Sequence, residues 1–208
     1  MIEVRSGPIR EVSCKSMDTL LKMGDADSGV KICDLLDSPE FRSRRHRDER
    51  LPDRDARAIE KLNASCLDET TAALRQLVEI AVEFCPADSA GISLEEVSEK
   101  GDPQFRWVAV AGSFAQYLNG TTPRFYSPCG TCIDRGVPQL YQVHNPYYNF
   151  LGVTAQPILD GILIPWRSGE MQGTLWAVSH HAEDTFDRSD YDFLRTVADF
   201  VSRAIRKH

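Results

Sequence analysis

The sequence predicts an α+β domain, an antiparallel sheet with helices packed on one face and an irregular crossover between two pairs of strands. Three patterns predict it. Strand-like alternation occurs in two pairs, residues 88–96 with 105–111 and residues 161–167 with 172–180; a crossover broken by prolines and glycines separates the pairs; and helical apolar stripes flank the whole.

The first stripe starts at Asp68, a helix N-cap residue type, and places Leu74, Leu77, Val78, Ala81, Val82 and Cys85 at helical spacing before Pro86 ends it. Residues 88–96 then alternate Ala90, Ile92 and Leu94 against Ser89, Gly91 and Ser93, the period of a half-buried strand. Gly101-Asp102-Pro103 makes the turn. Residues 105–111 follow, with Phe105, Trp107, Ala109 and Ala111 expected on one face and Arg106, Val108 and Val110 on the other. Between 112 and 159 only short pieces are expected: a helix opened by Pro128 and closed by Gly136, then a strand over residues 137–143. The second hairpin turns at Ser168-Gly169-Glu170. The closing helix has the fullest punctuation, with Asp187 as N-cap, Asp190 three residues on, and Phe186 placed to pack on Tyr191. Leu194, Val197, Ala198, Val201, Ala204 and Ile205 continue its stripe.

Ahead of this unit, residues 1–50 carry only short apolar patches and read as an N-terminal extension, partly disordered or dependent on a partner. Residues 51–67 read as a connecting helix whose apolar positions are mainly Ile59 and Leu62. Residues 68–208 are the folded domain. Twenty-four basic against 31 acidic side chains give a formal charge of −7, which repels nucleic-acid phosphates. No apolar run approaches the ~20 residues of a membrane helix, and the first residues lack the apolar core of an export signal. The expectation is a cytoplasmic chain with no nucleic-acid or membrane partner and with its six cysteines reduced.

The residues themselves resemble the GAF domains of bacterial sensor kinases and related signalling proteins. The resemblance is carried by Ala87-Asp88-Ser89-Ala90-Gly91-Ile92, Phe105-Arg106-Trp107-Val108-Ala109-Val110, Ser127-Pro128-Cys129-Gly130, Asp134-Arg135-Gly136-Val137-Pro138, Gly161-Ile162-Leu163-Ile164-Pro165-Trp166, Gly173-Thr174-Leu175-Trp176-Ala177-Val178 and Thr185-Phe186-Asp187-Arg188-Ser189-Asp190. It implies a GAF-like (PAS-like) six-stranded antiparallel sheet with terminal helices on one face and a crossover-covered pocket on the other. It implies a sensory or regulatory role, with no self-contained catalysis. It also implies a homodimer through the terminal helices, since many sensors of this family pair that way, or a signalling protein partner. No kinase, phosphodiesterase or DNA-binding module fits in the remaining residues.

GAF domains bind cyclic nucleotides, tetrapyrroles or other small molecules under the crossover, so the candidate ligand-binding residues are Trp107, Phe114, Tyr117, Phe125, Cys129, Cys132, Tyr141, His144, Tyr148 and Phe150. No cofactor is identified by the sequence. The same aromatics could instead fill the space and leave a pure interaction module. Arg106, Arg124 and Arg135 are either partners for an anionic ligand or surface residues. Cys129-Gly130-Thr131-Cys132 reads either as a thiol pair activated at a helix start or as small packing residues beneath the sheet.

A zinc site would have to recruit His144, His180 and His181 without a second cysteine pair. A covalent bilin is disfavoured because Cys132 precedes Ile133 where the attachment cysteine of phytochrome-like domains has a histidine neighbour. The enzymatic alternative is a resemblance to free methionine-(R)-sulfoxide reductases, which carry a Cys-Gly pair at the site matched by Cys129-Gly130. Residues 145–160 lack the catalytic cysteine of those enzymes, and Trp176-Ala177-Val178-Ser179 replaces their acidic substrate-binding positions. No serine-hydrolase elbow, zinc-protease helix or phosphate-cradling loop motif is present.

Overall fold

The computed structural model describes residues 28–44, 54–64 and 70–206. The N-cap expected at Asp68 lies outside these residues. Seven strands form one antiparallel sheet: β1 (Val30–Asp34), β2 (Ser89–Val97), β3 (Pro103–Gly112), β4 (Thr121–Pro123), β5 (Gln139–Val143), β6 (Ile158–Ser168) and β7 (Met171–Ser179), in the spatial order β1-β5-β6-β7-β2-β3-β4. The helices are α1 (Pro39–Ser43), α2 (Arg54–Ala64), α3 (Thr70–Phe84), α4 (Pro128–Arg135), α5 (Asn145–Leu151) and α6 (Arg188–Arg206). None of the helices in the described residues is long and apolar enough to cross a membrane.

The expected six strands become seven because residues 30–34 add an edge strand. Val30 to Asp34 pair in antiparallel register with Val143 to Gln139 of β5. Beyond it, Ser38 caps α1 by accepting a hydrogen bond from the Phe41 N–H, and Phe41 is buried. Arg44 then reaches the buried Asp160 with paired contacts of 2.8 and 3.0 Å and donates to the Phe186 carbonyl at 2.9 Å. Asp160 in turn accepts from the backbone N–H groups of Thr185 and Phe186 at 2.8 and 3.0 Å. One carboxylate thus joins the N-terminal segment, β6 and the approach to α6.

Two apolar cores sit on opposite faces of the sheet. On the helix face, α3 and α6 bury Leu74, Leu77, Ile80, Leu194, Val197 and Val201 against Ala90, Ile92, Ile162, Ile164, Leu175 and Ala177 of the strands. α2 lies over α3 and α6 with Ala58 and Leu62 fully buried, while Ile59, expected to share that role, is exposed. The second core lies under the crossover and gathers Phe105, Val110, Phe114, Tyr141, Tyr147, Leu163 and Trp176.

The crossover core corrects two expectations about strand faces. Ser89, Gly91 and Ser93 were expected toward water; they are buried, because the crossover roofs that face of β2. In β3 a bulge opposite Ile92 and Ser93 leaves Val108 unpaired and shifts the register. A residue inserted in this way reverses the side-chain parity. Phe105 and Trp107 therefore join the crossover core, while Ala109 and Ala111 join the helix core.

The closing helix begins as its punctuation predicts. The Asp187 carboxylate accepts from the N–H groups of Ser189 and Asp190 at 2.9 and 3.2 Å, and the Asp187 N–H donates to the Asp190 carboxylate at 3.0 Å. Phe186 and Tyr191 are both buried beside it. Replacing Asp187 by alanine removes the carboxylate that accepts from the first-turn N–H groups and is expected to lower stability by about 1–2 kcal/mol in chemical denaturation.

Candidate functional site

The crossover is placed by local signals. The Ser127 hydroxyl accepts from the Gly130 N–H at 3.0 Å, Pro128 occupies the first turn of α4, and Gly136 closes that helix in the left-handed region at φ 66°. Gly130 is needed for close approach, since a Cβ there would lie 2.0 Å from the Arg124 carbonyl oxygen. α4 therefore packs tightly on the chain that precedes it and brings Cys129 onto the sheet.

Between the crossover and the sheet lies a cavity of about 180 Å³. Its floor is Trp107, Leu163 and Trp176; its walls and roof include Phe114, Tyr117, Cys129, Tyr141, Tyr147 and Tyr148. Trp107 lies 5.1 Å from Trp176 and 6.2 Å from Phe114 by ring centroids, a tilted and a stacked contact. The rings come this close because Gly91 and Gly161 leave room: a Cβ at Gly91 would strike the Trp176 ring at 2.1 Å, and one at Gly161 the Tyr141 ring at 2.5 Å.

Six of the ten candidate residues line the cavity: Trp107, Phe114, Tyr117, Cys129, Tyr141 and Tyr148. The other four do not. Cys132 is buried behind the lining, with its thiol 3.6 Å from the Val137 carbonyl. Phe125 is 66% exposed with Arg124 stacked over its ring, His144 is exposed at the start of α5, and Phe150 packs outward on Tyr126 at 4.4 Å. Trp176 and Leu163, directly opposite one another in β7 and β6, were not among the candidates. The alternation of Thr174, Trp176 and Val178 against Leu175 and Ala177 was the signal that could have placed Trp176 on this face.

The chemistry around Cys129 is that of a packed thiol. Thr174 donates to its sulfur at 3.1 Å, the thiol donates to the Ser93 hydroxyl at 3.6 Å, and Trp176 Nε1 donates to the same oxygen at 3.1 Å. Burial pushes the thiol up and outweighs the hydrogen bonds with Thr174 and Ser93 and the charge of Arg124, which lower it. Cys132 is likewise held protonated by burial. Iodoacetamide labelling with peptide mapping is expected to modify the exposed Cys33 in the native protein, and to reach Cys129 and Cys132 only after unfolding.

The three arginines read as anion partners are all engaged elsewhere. Arg106 pairs with Glu96 at 2.9 Å; Arg124 pairs with Glu95 at 2.8 Å and Asp134 at 2.6 Å; Arg135 pairs with Asp34. Among the described residues no three His, Cys, Asp or Glu side chains are grouped to hold a metal ion. His180 bridges the Pro157 carbonyl and the Ser89 hydroxyl at 2.9 and 3.2 Å, and His181 contacts Asp88 at 2.9 Å.

A sheet with helices on one face and a roofed aromatic cavity on the other defines the PAS and GAF class of domain. Between the two, sequence decides: the GAF domain family model matches residues 68–206, and the chain belongs to the GAF domain family. Among solved structures it is similar to the GAF domain of an Acinetobacter phosphoenolpyruvate-protein phosphotransferase, at 16% identity and TM-score 0.56 over 74% of this chain and 90% of that one. The GAF domain of the Coxiella burnetii phosphoenolpyruvate-protein phosphotransferase gives 20%, 0.54, 73% and 90%. The free methionine-R-sulfoxide reductase of Neisseria meningitidis, in complex with its substrate, gives 20%, 0.53, 74% and 91%. At these identities the likeness is one of fold. No curated protein matches the sequence.

Proposed function

We propose that this chain is a regulatory GAF domain of a signalling system that holds a small molecule beneath its crossover and reports its presence through the terminal helices. The observation that carries the reading is the unfilled, aromatic-lined cavity of about 180 Å³, since an interaction module with a filled pocket would have none. Trp176 faces that cavity, while its neighbours Leu175 and Ala177 belong to the core under α3 and α6. A ligand that displaces the Trp176 ring therefore acts on β7, and through it on the helix layer, by favouring one of two packings.

Native mass spectrometry of the purified protein, with hydrogen exchange of the bound and stripped forms, tests this. The expected result is a co-purifying small molecule whose removal speeds exchange in the crossover and at α6. Protection unchanged at α6 would contradict the coupling.

The fold is shared with free methionine-R-sulfoxide reductases, but reductase activity is not part of this proposal. What supports leaving it out is the buried, protonated Cys129 and the lack of a cysteine in residues 145–160. Turnover of free methionine sulfoxide by the purified chain with a thiol donor would reverse that judgement.

Self-association through the terminal helices is the remaining part of the proposal. The apolar stripe of α6 is buried within the chain, beneath α2 and against α3. A dimer is left with outer surfaces such as that around the exposed Ile59, and light scattering at high concentration decides between one and two copies of 23.4 kDa.

A further inference from the structure

The size, lining and charge of the cavity narrow what it can hold. An apolar cavity of ~150 Å³ in a protein interior takes up one benzene ring, whereas pockets for drug-sized ligands run to ~300–1,000 Å³. At about 180 Å³ this cavity accommodates a single six-membered ring with a small substituent, and a nucleotide or tetrapyrrole would have to extend out through its open side. No aspartate, glutamate, lysine, arginine or histidine lines it. The nearby cations are committed: Arg124 to Glu95 and Asp134, Arg106 to Glu96 and Arg135 to Asp34. An anion entering the cavity would lose its hydration without gaining a counter-charge.

Besides its four tyrosines the lining offers the hydroxyls of Thr121, Thr122 and Ser127 and the Cys129 thiol; Ser127 and Cys129 are engaged within the protein, and the buried Thr122 hydroxyl, like that of Tyr148, has no partner among the described residues. Tyr148, 8% exposed, has a buried hydroxyl with no hydrogen-bond partner. Tyr141, 5% exposed, also lines the cavity, and burial holds its phenol protonated, so its hydroxyl is a donor. Tyr117 and Tyr147 are already satisfied, donating to the carbonyls of Thr154 and Tyr126 at 3.1 and 2.7 Å. A buried hydroxyl left without a partner is uncommon in folded proteins, and a bound molecule is one of the few things that completes it.

From this geometry we infer that the cavity selects a neutral, single-ring molecule carrying one small hydrogen-bonding substituent, read by the hydroxyls of Tyr141 and Tyr148. The inference rests on the ligand-binding reading above and goes further by naming the ligand class. The aromatic floor of Trp107 and Trp176 supplies the ring contact, and the phenols distinguish a polar substituent from a methyl group in the same place.

Calorimetric titration tests it with four probes, phenol, toluene, benzoate and 3′,5′-cyclic AMP, on the full chain stripped of anything that co-purifies. Amide shift perturbation around Trp176 and Tyr141 locates any site. Phenol is expected to bind in the cavity about tenfold more tightly than toluene, with benzoate and cyclic AMP giving no cavity shifts. In Tyr141→Phe/Tyr148→Phe, which removes two hydroxyls and keeps the rings, phenol is expected to fall to the level of toluene while toluene is unchanged. Should the double variant not fold, Tyr148→Phe alone is expected to narrow the gap.

Benzoate or cyclic AMP bound in the cavity would overturn the ligand class and leave the regulatory reading standing. Equal binding of phenol and toluene to the unaltered protein would overturn the role of the two phenols. Cavity shifts from none of the four would overturn both the class and the ligand-binding reading.

Discussion

Replacing Arg44 by methionine is expected to lower the free energy of unfolding by about 3–5 kcal/mol, the range for removing one member of a buried ion pair. The size of the effect follows from what the change strands. Asp160 is 1% exposed at its side chain and Arg44 6%, and they meet in a paired contact of 2.8 and 3.0 Å. Methionine keeps the apolar stem but leaves the carboxylate with only the N–H groups of Thr185 and Phe186. It also removes the contact that Asp184 makes with the same guanidinium at 3.0 Å. An exposed ion pair would be worth roughly 0–1 kcal/mol, so urea denaturation separates the cases. A loss below about 1 kcal/mol would mean that residues 28–44 are not held as an integral part of the sheet; the same variant should speed exchange of the β1 amides.

Gly173→Ala is expected to be at least as damaging, with a loss of about 3 kcal/mol or more and poor expression as its practical sign. Gly173 sits in β7 between two strands, paired with Leu94 of β2 on one side and Trp166 of β6 on the other. A Cβ there would lie 1.9 Å from the Ser93 carbonyl oxygen and 2.6 Å from the Trp166 ring. The first obstacle is backbone in the middle of the sheet and cannot swing aside, so the two strands must separate. Gly91→Ala is the informative contrast. Its added methyl meets the Trp176 side chain, which has a cavity to move into, so it should cost less stability and shrink the ligand site instead.

How much could be read in advance depended on how local the cause was. The bounds of α4 and the start of α6 were legible because Pro128, Gly136, Asp187 and Asp190 act within a few residues of where they stand. The hairpins were legible from alternation. β1 was not: five residues of mixed polarity become a strand because β5, more than a hundred residues away, offers an open edge. The facing of β3 failed for a related reason, as a bulge is set by the register of its partner and leaves no mark in composition.

The site divides the same way. Phe114, Tyr117, Tyr141 and Tyr148 were found because an aromatic in a roofing crossover is expected to face inward. Phe125 and Phe150 share that composition and point outward, since the short pieces carrying them have no long period to fix a face. Trp176 was overlooked as part of a hairpin, although the sheet has two covered faces and both could contribute to a site.

The account depends on a largely apolar, accessible space between Trp107, Tyr141, Leu163 and Trp176, and a crystal of the protein pressurised with xenon probes that space directly. An apolar cavity of this size takes up the gas. The predicted result is a single strong xenon peak among those four side chains. A difference map with no peak there, and with Trp107 and Phe114 collapsed onto Trp176, would contradict the ligand-binding interpretation at its root.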